Sequence, residues 1–295
     1  MRSGFVALSG RSNAGKSTLI NALLKEKIAI VSEKRQTTRS EIRGILTNEE
    51  GQIVFVDTPG FSRAQIRLEV QMNKTAEDVM RGVDLIYLVV DGSVPYGKED
   101  EKILNMAKDT GLPVFLILNK TDRMSRDKIV EVLTSYASRY SFAEFFPISA
   151  KEDNDFNELI HTTMNYLPEG EYLYPEEMTS DGSENFRIAE IIREKVLQVT
   201  MDELPHACAV SIENKEFHKG SCTIQALILV ERQSQKPIII GKGGERIKEI
   251  GMRARPEIEA LLGKKVFLSL YVRVESDWRK LDHKIFALGY GEGDE

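Results

Sequence analysis

Gly10-Arg11-Ser12-Asn13-Ala14-Gly15-Lys16-Ser17 has the spacing G-x-x-x-x-G-K-[ST], the pattern of a loop that cradles phosphates. The apolar run Phe5-Val6-Ala7-Leu8 precedes it, and a helix-like stretch, Thr18 to Leu24, follows it. Strand, glycine loop and helix in that order are the context the motif requires. Gly10 and Gly15 admit backbone conformations closed to other residues. The loop's N–H groups can then turn inward at a β-phosphate, backed by the positive end of the helix. Lys16 would reach the β- and γ-phosphates, and the Ser17 hydroxyl would ligate Mg2+.

Outward from this loop, residues 1–168 alternate β-rich apolar runs (5–9, 53–56, 84–90, 113–118, 145–148) with amphipathic stretches (17–24, 66–81, 98–109, 126–139, 155–166). That alternation predicts an α/β domain with a mostly parallel sheet and helices on both faces. Ile42 to Thr47, the turn Asn48-Glu49-Glu50-Gly51 and Ile53 to Val56 predict one antiparallel hairpin. Pro168 to Ser183 has neither period and is rich in Pro, Gly, Glu, Asp and Ser. It predicts a linker, 169–183, between the first domain and a second at 184–295. The second domain reads as helix (Phe186 to Val199), strands (Ala207 to Asn214, Cys222 to Glu231), a glycine-rich loop, a long helix, a strand (Lys265 to Val274) and a last helix near Trp278 to Ala287.

Composition narrows the class. The 295 residues are 41% hydrophobic and 29% charged, which describes a globular chain of two ordinary domains. No apolar run has the length of a membrane span. The first apolar run leads straight into the phosphate loop, which argues against a signal peptide. Cys208 and Cys222 form neither a disulfide framework nor a metal spacing; they read as buried free thiols in a reducing cytoplasm. The net charge of −6 argues against a generic nucleic-acid binder. Residues 236–290, however, hold 12 Lys and Arg against 7 Asp and Glu, whereas 171–235 hold 6 against 12. A basic patch is therefore confined to one part of an acidic chain.

Further motifs give the phosphate loop a ligand. Asp57-Thr58-Pro59-Gly60 closes a β-run; Asp57 can hold Mg2+ through a water, and Gly60 can offer its N–H to a γ-phosphate. Asn119-Lys120-Thr121-Asp122 follows the strand Val114 to Leu118. The Asp122 carboxylate can accept from guanine N1–H and the exocyclic amine together, donors that adenine lacks. Lys120 would pack its stem over the base, and Asn119 would brace the loop. Ser149-Ala150-Lys151 follows another strand, where a backbone N–H can meet guanine O6. Gln36-Thr37-Thr38-Arg39 lies in a polar stretch, where a threonine can complete the Mg2+ shell only while the γ-phosphate is present; position favours Thr38 over Thr37.

These elements in this order resemble the Ras-like GTPases. Residues Gly10 to Thr18, Asp57 to Gly60, Asn119, Lys120, Asp122 and Ser149 to Lys151 are then the candidate GTP site. Ser17, Thr38 and Asp57 are its metal ligands, and Lys16, Thr38 and Gly60 its catalytic set. Phe61 stands where such enzymes carry a water-orienting glutamine. Asn13 resembles members that use a potassium ion near the phosphates. Slow intrinsic hydrolysis, assisted by K+ or a partner, is expected.

Ile240-Gly241-Lys242-Gly243-Gly244-Glu245-Arg246-Ile247-Lys248 carries G-x-x-G at the start of an amphipathic helix that continues through Ile250, Ala254, Ile258 and Leu261. Such a loop clamps the backbone of about four single-stranded nucleotides, with Lys242, Arg246 and Lys248 on the phosphates. The order helix–strand–strand–loop–helix–strand resembles an α+β type II KH domain. A Ras-like GTPase followed by a KH domain resembles the Era family, as do Glu190 to Lys195 and Leu229 to Arg232. The resemblance implies binding to the 3′ end of small-subunit ribosomal RNA and a role in small-subunit assembly. It further implies a monomer in the cytoplasm with peripheral contact at the inner membrane face. Ser62 to Met72 departs from the family wording by lacking its proline and glycine, and the acidic tail Glu292 to Glu295 has no function legible in it.

The leading expectation is a GTP-hydrolysing switch that controls RNA binding. A scaffold that keeps nucleotide as a structural ligand is the alternative, favoured by Phe61. Asn119 to Asp122 argues against a phosphate-loop kinase. His161, His206, His218 and His283 are scattered and read as surface or core residues. Trp278 and Tyr271 can stack on bases, but core packing is the expectation for both.

Overall fold

The computed structural model describes residues 1–32, 34, 37–61, 64–200 and 207–290. Gln36, Ser62, Arg63, His206 and the acidic tail, all named above, lie outside them. The chain divides into two compact units, one drawn from Met1–Asp181 and the other from Gly182–Glu295 with two short segments of the first.

The first unit is a six-stranded sheet. Its strands are β1 (Arg2–Ser9), β2 (Ile42–Asn48), β3 (Gly51–Asp57), β4 (Leu85–Asp91), β5 (Val114–Asn119) and β6 (Glu144–Pro147). They lie in the order β2-β3-β1-β4-β5-β6. Only the β2–β3 hairpin is antiparallel; the other pairings are parallel. The helices are α1 (Lys16–Leu24), α2 (Arg67–Arg81), α3 (Lys98–Asp109), α4 (Arg126–Ala137) and α5 (Asn157–Tyr166). Leu85 to Val90 and Val114 to Leu118 are buried without alternation, as strands covered on both faces must be. One core cluster joins Ile86, Leu88, Leu116 and Leu118 of the sheet to Ala76, Met80, Ile103 and Leu104 of α2 and α3.

The stretch read as a linker has fixed partners for most of its length. Buried Gln52 accepts from the N–H groups of Leu173 and Tyr174 at 2.8 and 2.9 Å and donates to the Tyr174 carbonyl at 3.0 Å. Ile45 N–H donates to the Thr179 carbonyl at 2.8 Å. These bonds hold the segment along β2 and β3.

The second unit opens with α6 (Glu184–Val199), followed by β7 (Ala209–His218), β8 (Ser221–Val230), α7 (Lys236–Ile240), α8 (Glu245–Leu262), β9 (Lys265–Val274) and α9 (Asp282–Ala287). The three strands lie in the order β7-β8-β9, antiparallel then parallel. Ile188, Ile192 and Val196 of α6 and Ile250, Ala254 and Ile258 of α8 pack on Cys222, Ile224, Ala226 and Ile228 of β8. Cys208 and Cys222 are buried and outside any disulfide. Trp278 is fully buried and donates its indole N–H to the Ala207 carbonyl at 3.1 Å. Tyr271 corrects the expectation of core packing: it is 55% exposed, because β9 turns that residue away from the helices. His161 pairs with Glu50, and His218 lies 3.2 Å from the Thr223 hydroxyl. No helix among the described residues is long and apolar enough to cross a membrane.

Candidate functional site

The loop Gly10–Ser17 joins β1 to α1. From β1 the chain goes to β3 on one side and later to β4 on the other. Ligands of open α/β sheets bind at such a switch point, outside the strands' carboxyl ends. The glycines are required by close approach. A Cβ on Gly10 would stand 2.2 Å from the Val89 carbonyl oxygen, and one on Gly15 would stand 2.1 Å from Asn119 Nδ2. Gly15 and Asn13 both have left-handed backbones, at φ 99° and 66°.

Lys16 is buried, and its ammonium donates to the carbonyls of Gly10 at 3.1 Å and Arg11 at 3.2 Å. Burial pushes it below the ordinary lysine range, with the Asp57 charge opposing. Burial likewise pushes the Asp57 carboxyl above the usual carboxylate range, against Lys16, Ser17 and Thr38. Ser17 Oγ donates to Asp57 Oδ2 at 2.6 Å and lies 2.9 Å from Thr38 Oγ1, which donates to the same carboxylate oxygen at 3.2 Å. The three expected metal ligands therefore form one oxygen cluster. Thr37 is turned away, donating to the Lys34 carbonyl at 2.7 Å.

Thr58 pins the D-T-P-G turn to β1 by donating to the Leu8 carbonyl at 2.8 Å. Pro59 and Gly60 are buried, and a Cβ on Gly60 would meet Ser12 Oγ at 2.7 Å. Phe61 bridges to Arg11 through its backbone and sinks its ring into the core, 3% exposed. Arg11 turns to α3, where its guanidinium meets Asp100 at 2.9 Å and Glu99 at 3.3 Å.

At the other end of the site, Asn119 is the joint. Its Nδ2 donates to the Ala14 carbonyl at 2.8 Å, and its Oδ1 accepts from the N–H groups of Lys120 at 2.8 Å and Ala150 at 2.9 Å. Lys120 donates to the Asn13 carbonyl at 2.7 Å and to Asp91 at 2.6 Å. Ser149 Oγ donates to Asp122 Oδ1 at 2.7 Å, and the Ser149 N–H donates to Asp153 at 2.7 Å. Lys151 is exposed and pairs with Glu152. Thr18 continues α1 from the loop. Phosphate loop, D-T-P-G turn, N-K-T-D turn and S-A-K turn thus share the carboxyl-end edge of the sheet.

Asp91, Asp100 and Asp153 hold Lys120, Arg11 and Ser149 in place, and sequence reasoning did not single them out. Their only sequence signals are positional: Asp91 ends an apolar run, and Asp100 is the third residue of a helix that opens after Gly97.

In the second unit, Gly241 ends α7 at φ 76° and Lys242–Gly244 forms a tight turn into α8, with Gly243 and Gly244 at φ 61° and 82°. Lys242, Gly243 and Lys248 are exposed; Ile240, Gly244, Arg246 and Ile247 are half-buried. Arg246 donates its guanidinium to the Ile238 carbonyl, which fastens α7 to the start of α8. Pro237 near the start of α7 suits a short helix, and the isoleucine run that reads simply as apolar is that helix.

A Ras-like sheet with this loop, followed by a G-x-x-G-bearing three-stranded KH fold, defines a GTPase joined to a nucleic-acid-binding module. Family comparison agrees: residues 5–120 match the 50S ribosome-binding GTPase family, and residues 203–279 match the KH domain. The GTPase Era of Lacticaseibacillus paracasei is 46% identical over 293 residues, 99% of this chain and 98% of that one. A tyrosine-to-alanine variant of Aquifex aeolicus Era, solved with GDP·AlF4−, is 37% identical with a TM-score of 0.96, covering 99% of this chain and 100% of that one. Era solved with MgGDPNP and nucleotides 1506–1542 of 16S ribosomal RNA is 36% identical with a TM-score of 0.96 over the same shares. The chain belongs to the Era family of GTPases.

Proposed function

We propose that this GTPase binds the 3′ end of small-subunit ribosomal RNA through Gly241–Lys248 and uses GTP hydrolysis to time its release during small-subunit assembly. The supporting observation is the likeness, over 99% of the chain, to Era bound to nucleotides 1506–1542 of 16S ribosomal RNA. Crosslinking the GTP-loaded protein in cell extract and sequencing the bound RNA tests it. Enrichment of that 3′ end is expected; reads spread evenly over cellular RNA would overturn it. The switch also requires RNA affinity to differ between GDP and a non-hydrolysable GTP analogue.

In this reading Gly10–Thr18 hold the phosphates, Lys16 neutralises them, and the Gly60 N–H meets the γ-phosphate. Asp122 accepts from guanine, Lys120 covers the base, and Ser149–Lys151 close its far side. The oxygens of Ser17, Thr38 and Asp57 suit a hard divalent cation, and the buried Asp57 Oδ1 has no hydrogen-bond partner of its own, so the cluster fits Mg2+. Bound there, Mg2+ would neutralise charge on the β- and γ-phosphate oxygens. The family resemblance supports a cytoplasmic monomer with peripheral contact at the inner membrane face.

With Phe61 in the core, the position after Gly60 supplies no side chain to orient water, so intrinsic turnover is slow. Asn13, left-handed in the phosphate loop, is the residue through which K+ would be used. Turnover measured in K+ and in Na+ at equal ionic strength should favour K+; equal, fast rates in both would remove the K+ role.

A further inference from the structure

We infer that the open face of the β7–β8–β9 sheet is a second single-stranded RNA surface, on which Phe267 and Tyr271 stack bases while Lys265 and Arg273 meet phosphates. The inference rests on the RNA-binding reading above and places a stretch of RNA beyond the G-x-x-G loop.

Strand alternation sorts β9 into two rows. Val266, Leu268, Leu270, Val272 and Val274 face the core shared with α6 and α8. Lys265, Phe267, Ser269, Tyr271 and Arg273 face the other way and are exposed. Phe267 is 66% exposed and Tyr271 55%. The row therefore reads cation, aromatic, small, aromatic, cation. At about 3.3 Å per residue the two rings stand roughly 13 Å apart and the two cations roughly 26 Å. In register beside them on β8, Thr223 lies opposite Phe267 and Gln225 opposite Ser269, while Tyr271 stands beside the buried Leu227. Exposed aromatics on a sheet face, flanked by cations, are the chemistry that holds unstacked bases without regard to sequence.

The charges choose the occupant. Lys265 and Arg273 keep 82% and 57% of their side chains exposed, and their acidic neighbours Glu259 and Glu275 stand at 4.0 and 3.9 Å. Cations along an exposed edge disfavour pairing with a second copy of the strand and attract a polyanion. The route is short as well. β9 is the edge strand, and its core side packs against α7 and α8, the helices that flank the G-x-x-G loop. RNA leaving that loop need cross only one strand edge to reach the row. The acids of β7 near this face, Glu216 opposite Thr223 and Glu213 bonded to Ser211, stand two strands away from the aromatic row.

The test uses the full chain loaded with a non-hydrolysable GTP analogue. The probes are a tetranucleotide that fills the clamp of about four nucleotides and a dodecanucleotide that extends it, both cut from the small-subunit rRNA 3′ end. Wild type should bind the longer RNA more tightly. F267A/Y271A should weaken the dodecanucleotide roughly tenfold or more and leave the tetranucleotide and GTP unaffected, while F267Y/Y271F keeps the affinity. An unchanged dodecanucleotide affinity, or equal losses on both RNAs, overturns the inference. So does a wild-type dimer in sedimentation that F267A/Y271A dissolves. Wild type that binds neither RNA would sink the parent reading along with this one; a binding clamp with an indifferent sheet face would sink this one alone.

Discussion

In the proposed function, Asp122 is the side chain that decides the base. Its two oxygens can take both donors on guanine's Watson–Crick edge, each a charge-assisted bond of about 1.5–3 kcal/mol. Asp122→Asn replaces one acceptor with an NH2 donor. GTP affinity should fall by about two orders of magnitude, and xanthosine triphosphate, which carries a carbonyl in place of the amine, should bind better to the variant than to wild type. Competition titration measures both. Asn119 is 2% exposed and makes its bonds to Ala14, Lys120 and Ala150. Asn119→Ala leaves those groups unpaired and should cost about 2–3 kcal/mol, read from the urea midpoint. Residues of this kind are legible in sequence because their spacing is dictated by a small, fixed ligand. Their supports are not: Asp100 is 89 residues from Arg11, and Asp91 is 29 from Lys120. Only folding brings such pairs together, just as it turns Thr38 rather than Thr37 toward Ser17.

At the scale of elements, the apolar runs announced the strands because buried parallel strands need continuous hydrophobicity. The same signal misled at β9. Alternation marks two faces but does not say which one other elements will cover, so Tyr271 was expected inside and lies outside. The stretch 169–183 lacks any period, yet Gln52 fixes Leu173 and Tyr174 and Ile45 fixes Thr179; a buried amide satisfying backbone groups leaves no pattern in the segment it satisfies. Helix caps are more local and more predictable. Ser183 accepts from the Phe186 N–H at 3.3 Å at the start of α6. Ser183→Ala should destabilise the second unit by about 1 kcal/mol, seen as a lower thermal midpoint of that unit with GTP affinity unchanged.

Among the described residues, one core cluster of the first unit is built on β4, β5, α2 and α3, and one of the second on β8, α6 and α8. Each unit is large enough to fold by itself. Fragments 1–181 and 182–295 should each melt cooperatively, the first retaining GTP binding and the second RNA binding. A fragment without a cooperative transition would refute the division. The motifs of each unit were legible in their own half of the sequence for the same reason: each unit solves its own burial problem. Asn119 spans a smaller distance with a larger consequence. By tying Ala14 to Ala150 it joins the proposed seat for the base to the proposed seat for the phosphates. Guanosine and pyrophosphate offered separately should then bind far more weakly than the nucleotide that joins them, since the intact ligand gains the second contact as an intramolecular event at high effective concentration. Loosening that joint would erode this chelate advantage, while the contacts at either end stayed in place.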